Sequence, residues 1–156
     1  MRGRPISGSV PTAMSFTVES IRFRTRWMQT RFPFQYGIAS MTELPHVFLE
    51  LRAVVDGERV SGLASEGLPP KWFTKDPGTT FEEDLPALLA VIRHAAEWIG
   101  ETAWNNVFTA WRMLYDAQAE WAREEGHPPL LAHLGTSLVE RAMIDAFCRA
   151  SGARFG

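Results

Sequence analysis

The fold of this chain is decided by the stretch His46-Val47-Phe48-Leu49-Glu50-Leu51-Arg52-Ala53-Val54-Val55-Asp56-Gly57. Small and large apolar residues occupy every second position, as in a half-buried strand. Asp56-Gly57 is a strong signal for a tight hairpin turn, and a second strand is predicted over about residues 59–65. One face of the first arm carries Val47, Leu49, Leu51 and Ala53, and the other carries Phe48, Glu50, Arg52 and Val54.

A further strand is predicted upstream of this hairpin, over residues 16–28. Its residues alternate between an apolar row and an arginine row, the pattern of a strand with one buried face. Together with the hairpin it makes a three-stranded antiparallel meander. The apolar row is Ile21, Phe23, Thr25 and Trp27, and the arginine row is Arg22, Arg24 and Arg26.

Helical periodicity begins after a loop predicted over residues 66–78, which contain three prolines and two glycines. A first helix starts at a capping box, Thr80 with Glu83, and stops at Gly100. A second runs over about residues 103–123 and is predicted to pack deeply through an aromatic stripe. A third starts at a capping box in residues 137–140 and ends at Gly152. The stripe is Trp104, Val107, Phe108, Trp111, Leu114 and Tyr115.

Strands followed by helices predict an α+β fold, in which a three-stranded antiparallel meander is followed by a bundle of three or four helices. The helices should cover one face of the sheet. Residues 1–14 are rich in Gly, Pro and Ser and are predicted to be a disordered leader, and residues 15–156 are predicted to be one domain.

Charge and cysteine content exclude several classes of protein. The net charge of −2 and the pI near 6.1 argue against a general nucleic-acid or membrane-surface binder. The single cysteine, Cys148, cannot form an internal disulfide, which favours a reducing cytoplasm. No histidine pair has the i, i+4 spacing of a helical metal site, so metal binding is not expected.

The order of these elements resembles the N-terminal capping domain of the enolase superfamily, in its mandelate racemase and muconate-lactonizing enzyme branch. Residues 32–37 (Phe-Pro-Phe-Gln-Tyr-Gly) look like the start of the mobile loop that closes over substrate. Residues 66–72 (Glu-Gly-Leu-Pro-Pro-Lys-Trp) are similar in position to the second substrate-facing loop. Residues 47–51, the Asp56-Gly57 turn and Gly62 look like the second and third strands. Residues 137–146 resemble the helix that leads into the barrel, with acids at Glu140 and Asp145.

The resemblance implies a domain that caps a (β/α) barrel. Family enzymes bind Mg²⁺ through barrel carboxylates and abstract a proton α to a substrate carboxylate, and the metal stabilises the enolate. Such a barrel needs about 250 residues more. The family's Lys-x-Lys pair has no counterpart, because Lys71 and Lys75 are the only lysines and are four apart. The chain is therefore expected to hold no catalytic residue, metal ligand or cofactor of its own and to be inactive alone.

The partners implied are a C-terminal barrel domain and, in the complete enzyme only, Mg²⁺ and a small carboxylate substrate; neither nucleic acid nor a membrane is expected. The second interpretation of every candidate substrate-loop residue is ordinary loop packing. Lys71 and Lys75 could attract an anionic substrate, but they are expected to be exposed, solvated charges. The candidates are Tyr36, Gly37, Met41, Glu66, Leu68, Lys71 and Trp72.

For two sets of charged residues, the arginine row and the acids of the third helix, a structural interpretation is preferred to a functional one. The arginine row, with Arg31, Trp27 and Phe32, has the composition of a nucleic-acid-binding strand, but the solvated outer face of a sheet explains it better. Glu140 and Asp145 are five apart and do not share a helix face, so they are not expected to act as an acid/base pair. Arg141 and Asp145 are expected to pair instead.

The main alternative to a capping domain is a stand-alone α+β protein-interaction module derived from it. A capping domain without its barrel should expose an apolar patch, whereas a stand-alone module should be polar there. An independent small enzyme has the least support, because no nucleophile with a base and no phosphate-binding loop is visible.

Overall fold

The structure, a computed structural model, describes residues 15–100 and 102–154, and the predicted leader lies outside these residues. The described residues form a four-stranded antiparallel sheet of order β3-β2-β1-β4 and three helices. The predicted α+β fold is confirmed, with one short strand added. The elements are β1 (Phe16–Tyr36), β2 (Ala39–Val55), β3 (Glu58–Gly67), α1 (Phe81–Ile99), β4 (Ala103–Trp104), α2 (Val107–Glu124) and α3 (Pro129–Ser151).

The β2–β3 hairpin forms as the sequence predicts. Asp56 has φ 49° and Gly57 has φ 85°, the two left-handed residues that a tight hairpin turn requires. The row of β2 that begins at Val47 is at most 3% exposed and forms the sheet side of the core. Across the hairpin, Leu51 lies opposite Gly62.

The β1–β2 hairpin is longer than predicted. Residues 32–37 were expected to start a loop, but Phe34 pairs with Met41 and Tyr36 pairs with Ala39, so the loop is reduced to a turn at Gly37-Ile38. The reason is that aromatic residues occupy every second position here, while Pro33 lies where the register shifts between Gln29 and Phe34. Proline is tolerated in a strand at such an irregularity.

The apolar row of β1 is not buried along its whole length, contrary to the prediction. Upstream of this row, Phe16 and Val18 are at most 1% exposed, whereas within it Ile21 is half-buried, Phe23 is 39% and Trp27 is 60% exposed. The row leaves the core because β1 continues past the part of the sheet that the helices cover. The arginine row is exposed, as its interpretation as a solvated face requires.

The first helix is confirmed at both ends, but the second is shorter than predicted. The Thr80 hydroxyl accepts from the Glu83 amide, and the Glu83 carboxylate accepts from the Thr80 amide at 2.7 Å. Helix α2 begins only after Asn106, whose side chain accepts from the Thr109 amide at 2.8 Å. Residues 103–104 pair with β1 as β4 instead of joining the helix.

The deep packing expected for the aromatic stripe of α2 is confirmed for Leu114 but is wrong for Phe108 and Tyr115. Phe108 is 70% and Tyr115 is 38% exposed, whereas the buried side of the helix is built from Ala110, Leu114, Gln118 and Ala122. Small residues on this side let α2 approach its neighbours closely. No helix of the described residues is long and apolar enough to cross a membrane.

The third helix starts earlier than predicted, at the Pro128-Pro129 pair, because proline suits the first turn of a helix. Ser137 therefore lies inside α3, and the capping box expected there does not form. The predicted end is confirmed, since Gly152 has φ 66°.

One buried amide joins the three helices. Gln118 donates to the carbonyl oxygen of Val91 in α1 at 2.8 Å and to that of Ala132 in α3 at 3.0 Å. Its own oxygen lies 2.6 Å from Nδ1 of His94. Because both amide hydrogens are used, His94 must donate from Nδ1. Buried polar groups of this kind are costly unless every partner is present, so the network fixes how the helices pack.

Helix α3 closes the edge of β3. The Leu63 amide donates to the Asp145 carboxylate at 2.9 Å, and Arg141 donates to the Ser65 carbonyl oxygen at 3.0 Å. The expected Arg141–Asp145 pair is wrong, because the edge of the sheet offers Arg141 the Glu66 carboxylate at 2.8 Å. Asp145 pairs with Arg149 at 2.9 Å instead.

Gly62→Ala should cost about 3 kcal/mol or more of the free energy of unfolding, because a Cβ there would overlap the carbonyl oxygen of Ala142 in α3. Urea denaturation measures the loss. Gly37→Ala is the control: a Cβ there meets no atom within 4 Å, so only the cost of its left-handed backbone (φ 53°), about 1 kcal/mol, is expected. Equal losses in the two variants would show that the α3–β3 contact is not tight.

Candidate functional site

The turn of the β1–β2 hairpin and the loop that follows β3 meet at one end of the molecule. They surround a mainly apolar pocket of about 460 Å³, which α3 completes. The two loops that the resemblance singled out are thus adjacent in space. The pocket is lined by Tyr36, Gly37, Ile38, Lys71, Trp72, Lys75 and Leu130.

Tyr36 fastens the hairpin to this loop. Its hydroxyl donates to the carbonyl oxygen of Pro70 at 2.5 Å, and its ring meets Trp72 edge-on at a centroid distance of 5.7 Å. Burial raises the pKa of Tyr36, so the hydroxyl remains protonated and keeps donating at neutral pH. The hydrogen bond and the ring contact together place Trp72 at the mouth of the pocket.

Lys71 anchors the same loop to α1. Its Nζ donates to the Asp84 carboxylate at 2.7 Å and to the Thr79 hydroxyl at 2.6 Å, and Thr79 in turn donates to Asp84 at 2.7 Å. The side chains of the ion pair are only 11% and 7% exposed. The prediction that Lys71 is an exposed, solvated charge is therefore wrong. Lys75 is exposed, as predicted.

The Asp84 carboxylate is ionised at neutral pH. Burial acts to raise the pKa of Asp84, but the hydrogen bonds from Lys71 and Thr79 outweigh burial and lower it. Lys71 also has a left-handed backbone, with φ 58°, which a non-glycine residue adopts only when its surroundings hold it there.

The remaining candidates do not lie at the pocket. Leu68 is fully buried and its amide donates to the Pro45 carbonyl oxygen at 2.9 Å, so it belongs to the core and not to an exposed loop. Glu66 is the penultimate residue of β3 and pairs with Arg141. Met41 is half-buried in the hairpin, opposite Phe34.

Sequence reasoning missed Ile38 and Leu130, and it set the binding role of Lys75 below that of a solvated charge. Ile38 carried a signal, since an isoleucine directly after a turn glycine has no core to enter, and it is 69% exposed. Leu130 carried none, because only the packing of α3 brings it to the hairpin turn. Among residues 15–100 and 102–154, no group of three or more His, Cys, Asp or Glu side chains is placed to hold a metal ion.

Lys71→Met should lower the free energy of unfolding by about 3 kcal/mol, because it leaves Asp84 buried without its counter-charge. Lys75→Met, in the same loop but exposed, should change it by less than about 0.5 kcal/mol. Urea denaturation at pH 7 compares the two. Similar small effects in both variants would contradict the anchoring role of Lys71.

The same ion pair should make the free energy of unfolding depend on pH. The pKa of Asp84 is lower in the folded than in the unfolded chain, so its stabilising effect is complete above about pH 4 and is lost as the pH falls through the folded pKa. The double variant Lys71→Met/Asp84→Asn should therefore lose less stability than the wild type between about pH 6 and about pH 3. Parallel losses in urea denaturation would show that Asp84 does not titrate as described.

No protein-family model and no curated protein sequence matches this chain. Solved structures do match its fold. An enolase from an alphaproteobacterium with bound Mg is 17% identical, with a TM-score of 0.57, and the match covers 87% of this chain and 32% of that one. L-talarate dehydratase from Polaromonas, complexed with Mg and L-glucarate, is 17% identical, with a TM-score of 0.57, over 88% of this chain and 33% of that one.

A mandelate racemase/muconate lactonizing protein from Herpetosiphon aurantiacus is 21% identical, with a TM-score of 0.54, and the match covers 92% of this chain and 33% of that one. This chain thus spans about a third of the length of these structures. At such identities the likeness concerns the fold. The resemblance expected from the sequence is confirmed at that level, and the chain has the α+β fold that makes up about a third of these enolase-superfamily structures.

Proposed function

We propose that this chain is the N-terminal, substrate-capping domain of a Mg²⁺-dependent enzyme of the mandelate racemase and muconate-lactonizing kind. The chemistry, removal of a proton α to a carboxylate, belongs to a (β/α) barrel that works with this chain. The observation that carries the proposal is the pocket between the hairpin turn and the loop after β3. Those are the two segments that the resemblance assigns to substrate closure.

The side chains around the pocket are typical of a surface that a partner covers. Ile38 is 69%, Trp72 is 52% and Leu130 is 55% exposed, although all three are large and apolar. Exposed apolar residues gathered at one place are typical of interaction sites. A barrel mouth placed over them would bury their side chains and leave the pocket open towards the substrate. This also favours a capping domain over a stand-alone module with a polar surface there.

The chain's own contribution would be to exclude water and to select the substrate by shape. Loops that close over an active site raise the strength of every charge interaction inside it, because water is removed. Trp72 and Ile38 would cover the apolar part of a substrate, and the exposed ammonium group of Lys75 would face a second anionic group. Mg²⁺ supplies stabilisation of the enolate, and its ligands would be barrel carboxylates, since the described residues of this chain offer no such cluster.

The proposal is tested first by the native transcript beyond the codon for Gly156 and by the intact mass of the endogenous protein. We expect the reading frame to continue into about 250 residues with a Lys-x-Lys strand and three acidic strand ends. A native mass of 17.6 kDa, without a separately encoded barrel protein that copurifies with this chain, would contradict it. The interaction-module hypothesis would then replace it.

In the complete native enzyme, Trp72→Ala should reduce kcat/KM at least about tenfold, because truncation opens the pocket to water and removes apolar contact with the substrate. The measurement is Mg²⁺-dependent exchange of the α-proton of acid-sugar and mandelate substrates in D₂O, followed by NMR. Phe108→Ala is the matched control, since Phe108 is 70% exposed on α2 and does not line the pocket. Equal kinetics in the two variants would show that this pocket does not face the substrate.

A further inference from the structure

Beyond Thr17, the edge of β1 that faces away from β2 has no strand of the described residues beside it. Strand β4 pairs only with Phe16 and Thr17, and β2 occupies the other side of β1. All eight residues from Arg22 to Gln29 are exposed, so neither a helix nor a loop of the described residues covers this edge. Every second N–H and C=O group along it points away from the sheet. Such an edge is a template for the addition of an extended peptide.

The edge carries an unbalanced positive charge. Arg22, Arg24 and Arg26 share the outer face of the sheet, and none of them forms an ion pair with a described residue. In register across from them on β2 lie Glu50, Phe48 and His46, and Glu50 is engaged by Arg52 at 3.3 Å. Residues 16–55 contain five arginines against three glutamates, although the whole chain has a net charge of −2. The positive charge is therefore local to this hairpin.

The other face of the same edge is apolar. Phe23 is 39% and Trp27 is 60% exposed on the face that continues the core row of the sheet. In an antiparallel pair, residues that lie directly opposite each other point to the same face. A strand added here would therefore place its side chains alternately beside arginines and beside aromatic rings. A segment in which acidic and apolar residues alternate satisfies both faces at once.

We propose that the free edge of β1 between Arg22 and Gln29 binds an extended segment of a partner protein in which acidic and apolar residues alternate, by β-strand addition. A second copy of this chain is a poor occupant, because antiparallel pairing of two β1 edges would bring the two arginine rows together. A nucleic acid would use the arginines but would leave the backbone groups of the edge without partners. The inference does not depend on the proposed capping function.

The experiment titrates the ¹⁵N-labelled full chain with the synthetic peptide Thr-Glu-Val-Glu-Val-Glu-Thr. We expect saturable chemical-shift changes centred on residues 22–29 and slowed hydrogen exchange at every second amide there, which charge attraction alone does not produce. The variant Arg22→Glu/Arg24→Glu/Arg26→Glu should weaken the affinity at least about tenfold. A control of equal charge change, Arg93→Glu/Arg123→Glu/Arg154→Glu, alters three exposed arginines outside the hairpin and should weaken it less than about threefold.

Specificity is tested by a peptide of the same composition whose three glutamates are contiguous, which should bind more weakly. Equal binding of the two peptides, equal weakening in the two triple variants, or absence of protection at the β1 amides would overturn the inference. So would saturable binding of a single-stranded oligonucleotide to this edge in place of the peptide. Because the readout is the bound peptide, failure here leaves the kinetics of the proposed enzyme untouched, and the two proposals fail separately.

Discussion

The close contact between α3 and β3 is the constraint on which the rest of the structure depends. Gly62 lets the backbone of β3 reach the backbone of α3 at Ala142, and Arg141 and Asp145 then bind the edge of the strand. On its other side α3 reaches α1, where Gly135 meets the carbonyl oxygen of Val91. Side chains larger than hydrogen at the two glycines would separate these layers. The arrangement of sheet and helices therefore depends on these two glycines.

The pocket follows from this arrangement, because each of its walls is fixed by a different part of the core. The loop after β3 enters the core at Leu68 and is then held to α1 by the Lys71–Asp84 ion pair. Tyr36 ties the hairpin turn to the same loop, and α3 supplies Leu130. The anchors are buried and polar, whereas Ile38 and Trp72 project from them. A surface of this kind keeps its shape while its apolar side chains remain available to a partner or a substrate.

The parts of the structure that could be predicted from the sequence are those determined by neighbouring residues. The Asp56-Gly57 turn, the Thr80–Glu83 capping box and the glycine that ends α3 each depend on a few adjacent positions, and all three were predicted. The burial of Lys71 was not, since it depends on an aspartate thirteen positions away that only the fold brings near. The same holds for Arg141, whose partner Glu66 is 75 positions distant. The burial of the apolar row of β1 was also predicted wrongly, because alternation shows which residues share a face but not whether anything covers that face.

The pocket at the hairpin turn and the free edge of β1 are suited to different kinds of interaction. At the turn, Ile38 and Trp72 present apolar side chains around a concave pocket, and the backbone there is already bonded within the hairpin. Along the edge from Arg22 to Gln29 the backbone groups that face away from β2 have no strand of the described residues beside them, and the side chains are charged on one face and aromatic on the other. The first surface suits a partner recognised by shape, and the second suits a strand recognised by hydrogen bonds and charge. The β1–β2 hairpin contributes to both surfaces, but the loop after β3 and α3 complete the first of them, so the two surfaces share no lining residue.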